Sequence, residues 1–198
     1  MTPVVSREIV KIKIQNTRIS MTIRRFKDQE PLIPQSAWID PSALVAGDVT
    51  LGEEVSVWPQ ATIRGDVNQI TIGNQTNVQD GAVLHCTHDG PYSPGGKALV
   101  IGDRVTIGHQ ACLHGCTVEH DVLIGIGATV LDGAIIEHHV MVGAGALVPP
   151  GKVLSSGFLY VGSPAKQARA LTDKEQEFLS YSATHYVKLA HAHREVTG

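Results

Sequence analysis

From Ile39 onward an aliphatic side chain returns every six residues: Ile39, Val45, Leu51, Val57 and Ile63. After a three-residue insertion the ladder resumes at Ile72, Val78 and Leu84. A longer insertion, roughly residues 90–100, precedes Ile101, Ile107 and Leu113. A one-residue deletion leads to Val118, Ile124, Val130, Ile136, Val142 and Val148. The fifth place of each hexad is small or β-branched, as at Ala43, Val49, Val55, Ala61, Val67, Thr76, Ala82, Val105, Ala111, Val122, Ala128, Ala134, Val140 and Ala146. Two inward ladders, with polar residues or glycine between them, predict a solenoid of short strands. An amphipathic helix is excluded, because its apolar stripe recurs at 3.6 residues.

Such hexads resemble the left-handed parallel β-helix, an all-β solenoid in which three hexads close one triangular coil. The resemblance implies six stacked coils, with strands about 4.8 Å apart from coil to coil. Each inward side chain then rests on the one eighteen residues earlier. Glycines at 73, 102, 108, 125 and 143 are expected to ease tight corners. The pattern changes at Thr172-Asp-Lys-Glu175, which reads as a capping box. Phe178, Leu179, Tyr186 and Leu189 follow at near-helical spacing. The β-helix is therefore placed over residues 21–171. A C-terminal α-helix within 172–198, running to about Glu195, is laid along the prism. Residues 1–20 carry no repeat and no secretory apolar stretch. They read as an extension outside the fold, with a β-arm or targeting leader as the alternative.

Composition narrows the classes. A formal charge of -3 and a pI near 6.3 leave no basic footprint for nucleic acid. No apolar run approaches the ~20 residues of a membrane helix. Cys86, Cys112 and Cys116 are an odd set, too few for a disulfide framework, which suits a reducing cytoplasm. They are expected to be small buried or corner residues rather than ligands.

Register turns the repeat into geometry. Ile63, Leu84 and Leu113 lie three hexads apart, on one face of successive coils. The residues after them form an outward column of Arg64, His85 and His114. One strand spacing between His85 and His114 suits two Zn–N bonds of ~2.0–2.1 Å. His109 follows Ile107, belongs to a corner one hexad earlier and stacks above Asp80. It does not easily reach the other two within its own chain. A neighbouring prism brings that corner to the face, and repetition about a threefold axis predicts a homotrimer with one metal per subunit at the interface. Three histidines with an open fourth position suit a catalytic zinc, and Fe(II), Co and Ni are equally at home among imidazoles.

The stretches Arg64-Gly-Asp66, Asn77-Val-Gln-Asp80-Gly-Ala-Val-Leu-His85 and His109-Gln-Ala-Cys-Leu-His114-Gly make the resemblance specific. They are similar to gamma-class carbonic anhydrases, over most of residues 33–186. The resemblance implies a trimeric left-handed β-helix, with metal held by His85, His109 and His114 across each interface. It implies that Arg64 and Asp66 tie neighbouring subunits by an ion pair. Asn77, Gln79 and Asp80 would support the interface and the metal-bound solvent. The implied reaction is reversible hydration of CO2 to bicarbonate, with the metal lowering the pKa of its water to about 7. Gln79 is a candidate to orient that solvent or to polarise the substrate, and Asp80 to accept a hydrogen bond in support.

The insertion Cys86-Thr-His-Asp-Gly-Pro-Tyr-Ser-Pro-Gly-Gly-Lys97 departs from the best-known members, whose long acidic loop carries a glutamate that shuttles the proton. It holds no glutamate, and in this it resembles a short-loop branch of the family. His88 is the candidate replacement, because imidazole side chains exchange protons near neutral pH, against a loop residue with no role. Tyr160 is a candidate pocket residue, with packing as the alternative. His120, His138, His139, His185, His191 and His193 are read as solvated surface, the last two facing different ways on the helix. Two other functions remain open: a hexapeptide acyltransferase using a CoA thioester with one histidine as base, and a non-catalytic metal-binding trimer.

Overall fold

The computed structural model describes residues 22–197, so the extension expected over residues 1–20 lies outside the described residues. The chain winds into a left-handed parallel β-helix of three faces. One face stacks Trp38–Ile39, Ser56–Val57, Asn77–Val78, Thr106–Ile107, Leu123–Ile124, Met141–Val142 and Phe158–Val161. Leu44–Leu51 and Thr62–Ile72 are long strands that turn the corner between the other two faces. Beyond them, the second face continues through Val83–His85, Cys112–His114, Thr129–Val130 and Leu147–Val148. The third continues through Leu99–Ile101, Thr117–Val118, Ile135–Ile136 and Val153–Leu154. Ile23–Arg24 pairs with Leu44–Leu51, which adds a rung ahead of the first hexad.

The inward ladders form the core. Ile63, Leu84, Leu113 and Val130 are successive register partners, each fully buried. One ladder position differs from expectation. Val67 is exposed, and Ile70 takes the inward place as register partner of Val49. The insertion sits just before Ile70, and it pushes Asp66, Val67 and Asn68 outward as the strand bulges between Gly47 and Val49.

The glycines also act differently. The left-handed corner positions are taken by residues such as Gln60, Arg104, Gln110 and Gly127, whereas Gly108, Gly125 and Gly143 have ordinary φ. A β-carbon at Gly125 would stand 2.5 Å from the Ala144 nitrogen of the next coil. Close approach between coils, not turn conformation, requires glycine there.

After Phe158–Val161 the chain reverses into the antiparallel strand Lys166–Ala170, which covers the sheet edge. The helix Asp173–Thr197 follows. Its start is a reciprocal cap: the Thr172 N–H donates to Glu175 Oε2 at 2.9 Å, and the Glu175 N–H to Thr172 Oγ1 at 3.3 Å. The helix lies on the first face. Ala190, Tyr186 and Leu189 pack on Trp38 and Trp58, and Leu179 packs on Met141 and Leu171.

Several histidines expected on the solvated surface have partners. His193 packs against Trp38 and Trp58, each 5.3 Å away between ring centroids. His191 Nε2 meets Glu54 Oε2 at 2.5 Å, so both histidines help seat the helix. His138 Nδ1 meets Glu119 Oε2 at 3.0 Å, and its ring stacks on His120. Stacked coils, and the helix folded over them, bring these side chains together, which spacing along the chain conceals.

Candidate metal centre

Strand pairing aligns Arg64, His85 and His114 on adjacent rungs. His85 Nδ1 and His114 Nε2 face each other at 3.0 Å. Each ring is held on its other nitrogen by a carboxylate. His85 Nε2 meets Asp66 Oδ1 at 3.0 Å, and His114 Nδ1 meets Asp132 Oδ1 at 2.5 Å. Burial opposes ionisation of both carboxyls. Hydrogen bonds from His85 and Arg64 to Asp66, and from His114 and Thr87 to Asp132, outweigh it and hold both below the usual value. An ionised carboxylate only accepts, so the protons belong on His85 Nε2 and His114 Nδ1.

That assignment leaves two lone pairs pointing at each other. Neutral rings repel in this arrangement, and a proton or a metal cation between them removes the repulsion. Two bonds of ~2.0–2.1 Å at a tetrahedral angle set nitrogens about 3.4 Å apart, within a few tenths of the observed gap. The donor set therefore fits a divalent cation.

His109 lies at the corner, half-exposed, with Nδ1 2.9 Å from Asp80 Oδ2. Its Nε2 is left directed away from that carboxylate. Within the single chain, among the described residues, no three His, Cys, Asp or Glu side chains converge into a metal-binding group.

The other predicted residues fall into two groups. Asn77 is fully buried and Gln79 nearly so. The Gln79 amide donates to Asn77 Oδ1 at 3.0 Å, and Asn77 Nδ2 donates to Thr106 Oγ1 at 3.1 Å. Thr106 reaches Ser182 of the helix at 3.0 Å, so this network links the site's flank to the helix. Arg64 donates to Asp66 of its own chain at 2.5 Å. The implied inter-subunit tie is thus, within one chain, a local pair beside His85.

His88 is exposed in the insertion with its ring against Gly90. Tyr160 does not line an open pocket: it is buried, with its hydroxyl donating to the Ser155 carbonyl at 3.2 Å. Its neighbour Leu159 faces outward instead, because alternate strand residues point to opposite sides. Leu159 borders a groove of about 440 Å³ between the helix and the His109 corner, together with Leu123, Met141, Phe178, Gln79 and His109.

Sequence reasoning missed Asp132 and Thr87. Asp132 stands eighteen residues after His114, one coil further, and the same register count locates it. Thr87 carried no signal, because the insertion that holds it falls outside the repeat.

The coiling and the repeat define a hexapeptide-repeat protein of the left-handed β-helix class. A solved structure of a hexapeptide transferase family protein from Anaplasma phagocytophilum superposes with a TM-score of 0.80 at 35% identity, covering 87% of this chain and 98% of that one. No family model matches the chain. Protein YrdA of Escherichia coli is 53% identical over 170 residues, 86% of this chain and 92% of its own. A carbonic anhydrase of Geobacillus kaustophilus is 41% identical, covering 82% of this chain and 86% of that protein. The mitochondrial gamma carbonic anhydrase 1 of Arabidopsis thaliana is 46% identical, covering 87% of this chain and 62% of that protein. The chain belongs to the gamma carbonic anhydrase family.

Proposed function

We propose that this protein is a homotrimeric, metal-dependent carbonic anhydrase, with His85 and His114 of one subunit and His109 of the next holding one zinc or Fe(II) per subunit. The observation that supports this is the matched bracing of the three rings. Each histidine has one nitrogen on an aspartate (Asp66, Asp132 and Asp80) and one left for a metal. Carboxylate bracing of this kind fixes the ring tautomer and raises ligand basicity. A bound divalent cation would supply an acidified water at neutral pH.

The remaining roles belong to the chain's own groups. Gln79, buried beside His109 and held by Asn77, orients the small substrate at the end of the apolar groove. The groove walls there are largely apolar, from Leu123, Met141, Leu159 and Phe178. Asp66 and Asp132 keep the ligand rings from turning. His88, exposed on the insertion, accepts the proton that each turnover releases and passes it to buffer. Catalysis at this site in the cytoplasm completes the reading.

Stopped-flow CO2 hydration, on protein purified without oxygen and loaded with zinc or Fe(II), tests the proposal. Rapid hydration at about one metal per chain, lost in His114→Ala, supports it. Full loading without hydration overturns the activity and keeps the site.

A second reading is an acyltransferase, favoured by the solved transferase-family structure and by the groove beside His109. That reading predicts acyl transfer from a thioester by protein that carries no stoichiometric metal.

A further inference from the structure

Asp132 is placed to do more than accept one hydrogen bond. Its Oδ1 takes the His114 Nδ1–H at 2.5 Å, and its Oδ2 takes the Thr87 hydroxyl at 2.6 Å. Both carboxylate oxygens are therefore committed, and the group cannot rotate without breaking a bond to one partner.

The chain makes room for this contact. Gly115, next to His114, has φ +51, and a β-carbon there would stand 2.7 Å from Asp132 Oδ1 and 2.8 Å from Lys97 Cβ. Any larger residue would push the carboxylate away from the ring. Thr87 in turn closes the base of the insertion loop. Its N–H donates to the Lys97 carbonyl and its carbonyl accepts from the Lys97 N–H, both at 2.9 Å. One carboxylate thus joins a histidine on a core strand to the ends of a loop outside the repeat.

We propose that Asp132 is the positioning residue for His114, and that Thr87 couples the seating of the 87–97 loop to the orientation of that ring. Asp132 holds the proton on Nδ1 and turns Nε2 toward His85. Thr87 holds the carboxylate in the plane where it can do so. A loop that lifts from its seat frees Asp132 and lets the ring choose its other tautomer. The metal-affinity consequence rests on the metal-site reading above, but the ring orientation does not.

The test uses full-length protein with nitrogen-15-labelled histidine, metal-free, at about pH 8, above the ordinary imidazole value. Long-range proton–nitrogen correlation reads which His114 nitrogen carries the proton. Nδ1–H in the wild type and a shift toward Nε2–H in Asp132→Ala is the expected result. An unchanged tautomer in that variant overturns the proposal. Asp132→Asn, nearly the same shape, serves if the alanine variant fails to fold, with a partial shift expected.

Chelator competition then measures metal affinity. A loss of roughly 10–100-fold is expected for Asp132→Ala, with a smaller loss for Thr87→Val and recovery in Thr87→Ser. Wild-type affinity in both Asp132 variants, while His114→Ala abolishes binding, overturns the positioning role. If the wild type itself takes no metal, the metal-site reading fails and the tautomer result alone decides this one. Amide hydrogen exchange at Thr87 and Lys97 should quicken in Asp132→Ala, and no change there removes the loop coupling.

Discussion

His85 and His114 are register partners on adjacent rungs, and the nitrogens they turn toward each other are 3.0 Å apart while carboxylates occupy the other two. A parallel β-helix is well suited to this, because its successive rungs lie about 4.8 Å apart. Residues that share a place in the coil share a direction in space. Several consequences can be measured.

The first concerns the division of ligands between chains. His109→Ala and His85→Ala should each abolish metal binding on their own. Mixed after unfolding and refolded together, they should recover about a quarter of the sites, since random assembly of a cyclic oligomer joins an intact His85/His114 pair to an intact His109 that often. Metal content of the mixture measures this. Recovery of none would place all ligands within one chain.

The core columns should behave as packed solids. Ile136 is fully buried between Val118 and Leu154 on the neighbouring rungs. Ile136→Ala should cost about 2–5 kcal/mol, because neighbouring coils are tied by backbone ladders and cannot collapse into the gap. Urea unfolding of the two proteins gives the difference.

Acid should weaken one corner before the core. Arg104 donates to both oxygens of Asp121 at 2.7 Å, and Asp121 is buried. The hydrogen bonds from Arg104 lower the Asp121 carboxyl below its ordinary value, against the opposing effect of burial. A lowered folded-state pKa adds stability that is complete above about pH 4 and is lost as pH falls through the folded value. Asp121→Asn should cost about 1.5–3 kcal/mol at neutral pH and less in acid. Asn also tolerates the left-handed φ of +54 found there, so backbone strain does not confuse the comparison. Melting curves of both proteins from pH 7 to pH 3 should converge.

The thiols should be poor nucleophiles. Burial pushes the Cys116 thiol up to about 12, and Cys86 and Cys112 are also raised by burial. The thiolate is the reactive form. A small alkylating reagent at neutral pH should modify partly exposed Cys112 first and slowly, and reach Cys86 and Cys116 only on unfolding. Mass mapping of the labelled peptides checks the order.

Much of this site is legible in the sequence because a solenoid converts counting into distance. The column of Arg64, His85 and His114, and the stacking of His109 over Asp80, follow from the hexad register alone. The same count locates Asp132 one coil beyond His114. Counting fails where the chain leaves the repeat. It puts Val67 inside, where the bulge before Ile70 turns it out, and it has no place for Thr87 in the insertion.

The coiled architecture, the inward ladders, the helix cap at Thr172 and the outward column of Arg64, His85 and His114 can be read from the sequence, because each depends on period or on contacts within a few residues. Which nitrogen of each ring is braced, the inward turn of Tyr160, and the partners of His138, His191 and His193 emerge only from packing. Those depend on side chains from coils eighteen or more residues apart, or from the helix folded back over the prism. Hydrogen bonds select a rotamer and a tautomer only once the coils are stacked, and no periodicity along the chain encodes that choice.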